Sequence, residues 1–275
     1  MSAKLGILAG GGGLPRQLIK LCEETNREVF VVAFSGQTDP ETVEGVDHIW
    51  TRLGAAGKIL KTLSEEQVKE LVMIGPVKRP SMAELRPDWR ALQFFAKIGA
   101  KSLGDDGLLR SVISALEEEG FLFRGVDDLL SDLLATEGVY GAVVPDALAY
   151  EDIKRGVEVA QAMGRADVGQ SVVVQQGLVL GVEAIEGTDA LLSRCKELKR
   201  GGDGGVLVKL KKPEQERRAD LPTIGVETLK SAFNAGLKGI AIEAGGALVV
   251  DRESLVSEAD DCGLFVVGIS PSAYE

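Results

Sequence analysis

The opening of this chain alternates short apolar runs with helical periods, and that order leaves few folds open. Leu5–Ala9 has the run of a buried strand, and the glycines Gly10–Gly13 follow it at once. Leu14–Glu24 then places Leu14, Leu18, Ile19 and Leu21 at helical spacing. Val29–Phe34 is a second strand, Ile49–Leu53 a short third, Ala55–Leu63 a helix, and Leu71–Ile74 a strand that ends at Gly75. Strands that alternate with helices in this way build a parallel sheet with helices over it. The expected class is α/β, with an N-terminal Rossmann-like parallel-sheet domain. Helices over Ala91–Ile98 and Asp105–Glu119 complete the first half.

Ala135–Tyr150 carries Gly138, Gly141 and Pro145 and shows no helical period. It reads as a linker, over 135–150, between a domain at 1–134 and a second α/β domain at 151–275. The second half predicts a helix over Glu151–Met163, two strands across Ser171–Ala184 with a turn at Gly177, and a helix over Ala190–Lys199. Strand Val206–Leu210, helix Val226–Ala235, strands Gly239–Glu243 and Leu248–Val250, helix Arg252–Asp260 and strand Leu264–Ile269 follow.

Composition removes whole classes of function. The formal net charge of −11 argues against a nucleic-acid partner, which needs clustered Lys and Arg. It argues equally against nonspecific attraction to anionic membrane, so any transient contact with membrane lipid has to be apolar. A single histidine, His48, and three scattered cysteines, Cys22, Cys195 and Cys262, rule out a His-rich zinc site and a disulfide framework. A reducing cytoplasm fits those cysteines. The start of the chain reads as a strand rather than a signal peptide, and no apolar run reaches the ~20 residues needed to span a bilayer. A soluble protein is expected, and a peripheral place at the inner membrane stays open.

Six segments can carry chemistry. Gly10-Gly11-Gly12-Gly13-Leu14 joins a strand to a helix, where backbone N–H groups and the helix dipole suit a phosphate; the alternative is a tight turn. A dinucleotide fingerprint fails on two counts. Position 15 or 16 should be Gly or Ala and is Pro15 or Arg16, and the second strand ends Ala33-Phe34-Ser35, with Asp39 the next acid. Gly75-Pro-Val-Lys78-Arg79-Pro80 holds two cations in a rigid loop after a strand, placed to meet phosphate oxygens or simply solvated. Gly104-Asp105-Asp106-Gly107 opens a helix, either as a cap or as metal-binding carboxylates.

Glu183-Ala-Ile-Glu186-Gly-Thr188-Asp189 puts three carboxylates at another helix start, with the same pair of readings. Asp167-Val-Gly-Gln170 precedes the strands that lead to it. The stretch from Lys209 to Gly225 is dense in charge yet hemmed by Pro213 and Pro222, so Lys212, Gln215, Arg217, Asp220 and Thr223 are placed by stiff backbone. Asp220, an acid among cations, is expected to stay ionised and to act in catalysis, at a metal, or in an ion pair.

Together with Glu243-Ala-Gly-Gly246 and Asp251-Arg252, these segments span nearly the whole chain in order. In that set the chain resembles the UDP-2,3-diacylglucosamine pyrophosphatases of lipid A biosynthesis, in the lineage unrelated to the calcineurin-like metallophosphoesterases. The resemblance implies two domains with substrate between them and hydrolysis assisted by Mg²⁺ or Mn²⁺. Water attacks the uridine-side phosphorus, releasing UMP and 2,3-diacylglucosamine 1-phosphate. It implies Asp220, Lys212 and Arg217 as catalytic residues. The expected substrate contacts are Gly10, Gly11, Gly12, Gly13, Leu14, Lys78, Arg79, Gln170, Thr188, Gln215 and Thr223. The expected metal ligands are Asp189, Glu186, Glu183, Asp105 and Asp106, and oxygen donors of this kind suit Mg²⁺ or Mn²⁺. A homodimer is the expected assembly. Two readings compete: a nicotinamide-dependent oxidoreductase acting on a nucleotide sugar, and a non-catalytic nucleotide-binding regulator.

Overall fold

The computed structural model describes residues 3–78, 81–98, 105–213, 215–218 and 220–274, without the side chains of residues 82, 83, 98, 105 and 106. The chain divides into two compact units: residues 1–131 with 216–220, and residues 132–215 with 221–275. The short return of 216–220 groups Asp220 with the first unit, while Gln215 and Leu221 on either side of the segment belong to the second.

The first unit runs β1 (Leu5–Ala9), α1 (Leu14–Glu24), β2 (Val29–Phe34), β3 (His48–Thr51), α2 (Ala56–Glu65) and β4 (Glu70–Ile74). Then come α3 (Met82–Leu85), α4 (Trp89–Ile98), α5 (Asp105–Glu118), β5 (Leu122–Phe123) and α6 (Val126–Leu129). Its sheet has the order β3-β2-β1-β4-β5, and every pairing is parallel. β1 is buried along its whole length. That is why it reads as an unbroken apolar run: helices cover both faces of a parallel sheet. α1 buries Pro15, Leu18, Ile19 and Cys22, and it stops where Thr25 donates its hydroxyl to the Leu21 carbonyl at 2.8 Å. The strand order reverses between β1 and β4, so the crevice beyond their C-terminal ends is where an α/β sheet binds ligands.

The second unit runs β6 (Gly138–Tyr140), α7 (Ala147–Arg165), β7 (Ser171–Gln175), β8 (Leu178–Val182), α8 (Thr188–Leu198) and β9 (Val206–Lys209). It continues with β10 (Thr223–Ile224), α9 (Val226–Asn234), β11 (Gly239–Glu243), β12 (Leu248–Val249), α10 (Arg252–Cys262) and β13 (Phe265–Ile269). The sheet order is β6-β13-β11-β9-β7-β8. β9, β11 and β13 are parallel, while β6 and the β7–β8 hairpin join antiparallel at the two margins.

Strand alternation sorts the second core into two layers. Val173, Leu207, Ile240, Ile242 and Val266 meet residues of α8, α9 and α10. Val172, Val174, Val206, Val208, Ala241 and Val267 meet Ile153, Val157 and Ala160 of α7. Gly156 lets α7 lie hard against β9, for a Cβ there would stand 2.4 Å from Val208 Cγ2. The buried carboxylate of Asp152 fixes the β7–β8 turn by accepting from the N–H groups of Gln176 at 3.1 Å and Gly177 at 2.7 Å.

The long elements match the sequence reading within a few residues, and the differences are local. Residues 138–140 are a strand rather than irregular chain, and α7 starts at Ala147 rather than Glu151. The reason is Asp146, whose carboxylate caps α7 by accepting from Ala149 N–H at 2.7 Å. α8 begins at Thr188, with Gly187 as its N-cap and no side-chain capping bond. The acids of that turn therefore do not cap it, although Asp189 lies in its first turn. No helix among the described residues is long and apolar enough to cross a membrane.

Candidate functional site

At the C-terminal edge of the first sheet three loops lock together. Gly10 N–H donates to the Ile74 carbonyl at 2.8 Å, Gly11 N–H to the Pro76 carbonyl at 2.9 Å, and Gly12 N–H to Asp39 Oδ2 at 2.7 Å. A Cβ at Gly10 would stand 2.3 Å from the Gly75 carbonyl oxygen, so glycine is required there by the approach of the next loop. The donors of Gly10, Gly11 and Gly12 are thus spent inside the protein and are not offered to a phosphate as the sequence reading expects. What the glycine run presents to solvent is its end, at Gly12 and Gly13, where Leu14 opens α1. Gln37 clamps the backbone of Lys78 in both directions: its amide donates to the Lys78 carbonyl at 3.1 Å and accepts from Lys78 N–H at 2.8 Å. The Lys78 side chain is exposed at this edge. Arg79 lies outside the described residues.

The second sheet carries a denser polar cluster at the ends of β9 and β11, where β7 begins. Lys209, the last residue of β9, is only 6% exposed. Its ammonium donates to Thr188 Oγ1 at 3.0 Å and to the Thr223 carbonyl at 3.1 Å. Thr188 in turn donates to Glu183 Oε1 at 2.9 Å and lies 3.2 Å from Ser171 Oγ. A hydroxyl has one proton and two lone pairs. All three are used here, so Thr188 organises the cluster and has no proton left for a ligand. Glu183 is also buried, and its Oε2 accepts from Gln170 N–H at 3.3 Å.

Beside this cluster, Glu243 Oε2 accepts from Lys211 N–H at 2.9 Å. Gln215, buried, accepts from Lys212 N–H at 2.9 Å and donates to Gln170 Oε1 at 3.4 Å. The Lys212 ammonium bonds the Asp167 carboxylate. Gln170, Thr188, Gln215, Thr223, Glu183 and Lys212 therefore share one edge of one sheet, as a set of binding residues must. The sequence reading gave no site role to Lys209, Ser171 or Asp167, although two of its segments contained Asp167 and Lys209.

The proposed metal ligands that are described, Glu183, Glu186 and Asp189, are each engaged elsewhere. Among the described residues no three His, Cys, Asp or Glu side chains gather as an ion would need. Glu183 is committed to Thr188 and Gln170, and Glu186 pairs with Arg194 at 2.9 Å. The Glu186 carboxyl is held below its ordinary value by its own backbone N–H and by the Arg194 bond. Asp189 Oδ1 accepts from Ser231 at 3.3 Å. The side chains of Asp105 and Asp106 lie outside the described residues. The donor chemistry suits Mg²⁺ or Mn²⁺, but the arrangement of the described acids does not build a site.

The segment 216–220 belongs to the first unit. Arg217 grips Asp127 Oδ2 with Nη2 at 2.7 Å and Nε at 3.2 Å. Arg218 Nη1 donates to Glu117 at 2.6 Å, and its Nε donates to Glu216 at 2.9 Å. The Arg218 bond pulls the Glu216 carboxyl below its ordinary value. Asp220 N–H donates to the Glu216 carbonyl at 3.1 Å, which closes the turn under the half-buried Asp220 side chain. On the far side, Leu248 N–H donates to the Pro222 carbonyl at 2.7 Å, and Thr223–Ile224 pairs in parallel with Leu248–Val249. Asp220 is thus tied within the first unit and Pro222 within the second.

Two family models divide the chain between them. The LpxI N-terminal domain matches residues 4–133 and the LpxI C-terminal domain residues 136–267. The chain belongs to the LpxI family. Among LpxI proteins, the UDP-2,3-diacylglucosamine pyrophosphatase LpxI of Caulobacter vibrioides is 43% identical over 277 residues, covering 98% of each chain. Likeness to two solved structures is slight. CobK precorrin-6A reductase is 12% identical with a TM-score of 0.35, covering 98% of this chain and 88% of that one. The biotin carboxylase domain of a thermophilic 2-oxoglutarate carboxylase is 15% identical with a TM-score of 0.27, covering 63% of this chain and 35% of that one.

Proposed function

We propose that this protein hydrolyses the pyrophosphate bond of UDP-2,3-diacylglucosamine, releasing UMP and 2,3-diacylglucosamine 1-phosphate for lipid A biosynthesis. One observation carries the reading: 43% identity across 98% of both chains to a UDP-2,3-diacylglucosamine pyrophosphatase. The polar edge of each sheet supports it. Lys78 at one edge and Lys212 at the other are the cations this reading assigns to phosphate oxygens.

In the reaction a water oxygen bonds to the uridine-side phosphorus and the bridging P–O bond breaks. The proton of the water passes to a carboxylate, and the leaving sugar phosphate takes the bond electrons. Asp220 is the acid assigned to that proton. Two features support the assignment: Asp220 N–H is bonded to the Glu216 carbonyl, and Pro222 stiffens the backbone that follows. Lys212, held by Gln215 and Asp167, and Arg217, held by Asp127, are the cations assigned to the charge that develops on the phosphates. A requirement for Mg²⁺ or Mn²⁺ belongs to the same reading, supported by a sequence whose hard ligands are nearly all oxygen.

The test is direct. Purified protein is mixed with UDP-2,3-diacylglucosamine in detergent micelles and UMP is measured. Release of UMP that stops with EDTA and returns with Mg²⁺ or Mn²⁺ is expected. No UMP from a folded protein under any metal condition sinks the activity, and full turnover after exhaustive chelation sinks the metal requirement alone.

A further inference from the structure

The second strand lacks the acid that nucleotide-binding α/β proteins place at its end to hold ribose, since β2 finishes Ala33-Phe34-Ser35. The fold returns one from farther along the chain. Thr38, buried, accepts from Phe34 N–H at 2.8 Å and donates to the Ala9 carbonyl, which fastens the loop after β2 to the end of β1. Gln37 fastens the same loop to the Lys78 backbone. Asp39 is thereby delivered to the glycine turn, where Oδ2 accepts from Gly12 N–H. Its side chain is exposed, and Oδ1 has no partner among the described residues.

We infer that Asp39 is a specificity-determining residue that accepts hydrogen bonds from the ribose hydroxyls of the uridine. A fixed carboxylate is an acceptor only, so the ligand group it meets has to be a donor. A phosphate is excluded there by like charge. The uracil edge is a poor partner as well, because its single N–H is flanked by two carbonyl oxygens that a carboxylate repels. A ribose diol offers two donors side by side. Lys78, clamped one loop away, supplies the positive charge the adjoining phosphate needs. This inference rests on the proposed uridine nucleotide substrate.

The experiment measures binding of UMP and of 2′,3′-dideoxy-UMP by titration calorimetry to the full-length protein and to Asp39→Ala and Asp39→Asn. Wild type should prefer UMP by about tenfold or more, the scale of hydrogen bonds to a charged acceptor. Both variants should show a preference reduced to within about threefold. The amide of Asp39→Asn can still accept from Gly12, so this variant preserves the loop if the alanine disturbs it. A wild-type protein indifferent to the two nucleotides overturns the assignment, as does a full preference retained in either folded variant. Hydrolysis is scored separately. Failure to cleave UDP-2,3-diacylglucosamine beside an intact, Asp39-dependent preference for UMP refutes the proposed reaction and supports the ribose assignment.

Discussion

Lys209→Met is the substitution that most directly tests the polar cluster of the second unit. Methionine keeps the length of the side chain and much of its apolar packing, so the change removes little but the ammonium. Its bonds to Thr188 at 3.0 Å and to the Thr223 carbonyl at 3.1 Å go with it. Each hydrogen bond to a charged group contributes about 1.5–3 kcal/mol, offset in part because the ammonium no longer has to be desolvated. A further loss lies one link away. Glu183 is 7% exposed and receives its bond from Thr188, so its carboxylate, one hydroxyl removed from the ammonium, keeps a buried charge in less positive surroundings. That adds to the cost, short of the ~3–5 kcal/mol of a directly broken buried pair. The expected loss is therefore about 3 kcal/mol, read from the midpoint of urea unfolding followed by far-UV circular dichroism, with the slope unchanged. Glu183→Gln in the same chain removes that charge while keeping an acceptor for Thr188 and Gln170. The double variant should recover about 1–2 kcal/mol over Lys209→Met. A loss below about 1 kcal/mol, or a double variant no more stable than Lys209→Met, would refute the reasoning.

Asp220→Asn should leave the fold and UMP binding intact and lower turnover by about a hundredfold or more, the scale for one preorganised charge-handling group; turnover near wild type in single-cycle kinetics would remove Asp220 from the chemistry. Glu216 has a carboxyl lowered from 4.5 by its bond with Arg218, so its stabilisation is full above that value and fades as pH falls through the depressed folded value. Arg218→Gln should flatten the acid side of the stability–pH curve, and an unchanged curve contradicts the pairing. Acyl chains contribute about 0.8 kcal/mol per buried methylene, so UDP-2,3-diacylglucosamine should be cleaved far more efficiently than UDP-glucosamine, in low salt and high; equal efficiency, or collapse in salt, tells against apolar recognition of the lipid. Asp167 has φ of +52°, which asparagine tolerates, so Asp167→Asn should release Lys212 without moving the chain and tighten UMP binding several-fold by calorimetry. Unchanged affinity would show that Lys212 does not meet the phosphate.

The parts of the fold that were legible share one cause. β1, β2, β7 and β13 are buried along nearly their whole length, so burial writes itself into the sequence as a continuous apolar run. β5, β6 and β10 have two or three residues each, too few for any period, and their pairing is decided by partners far along the chain. The start of α7 was lost because Gly138, Gly141 and Pro145 dominate the stretch before it. Its cap, Asp146 directly after Pro145, was a usable signal. Division of the chain at 216–220 had no local signature, since ion pairs with Asp127 and Glu117 create it across about a hundred residues of sequence.

The site was legible by position more than by role. Glycines, prolines and acids mark where the backbone turns at a sheet edge, and Gln170, Glu183, Thr188, Lys212, Gln215 and Thr223 all lie at one edge. Roles depend on who faces whom. Gly10, Gly11 and Gly12 turn their N–H groups inward because the loops at Pro76 and Asp39 take them. Lys209 ends a strand that reads Val-Leu-Val-Lys, where a lysine looks like the chain leaving the core, and yet it is buried. Pairing of the cations follows a single pattern. Lys212 bonds Asp167, Arg217 bonds Asp127, and Arg218 bonds Glu216 and Glu117. In a chain with a net charge of −11, acids outnumber the cations, and Lys212, Arg217 and Arg218 each already have a carboxylate partner. If the proposed roles of Lys212 and Arg217 hold, an arriving anion has to displace or share those partners, so the carboxylates would set how tightly the ligand is held while keeping both cations aimed before it binds.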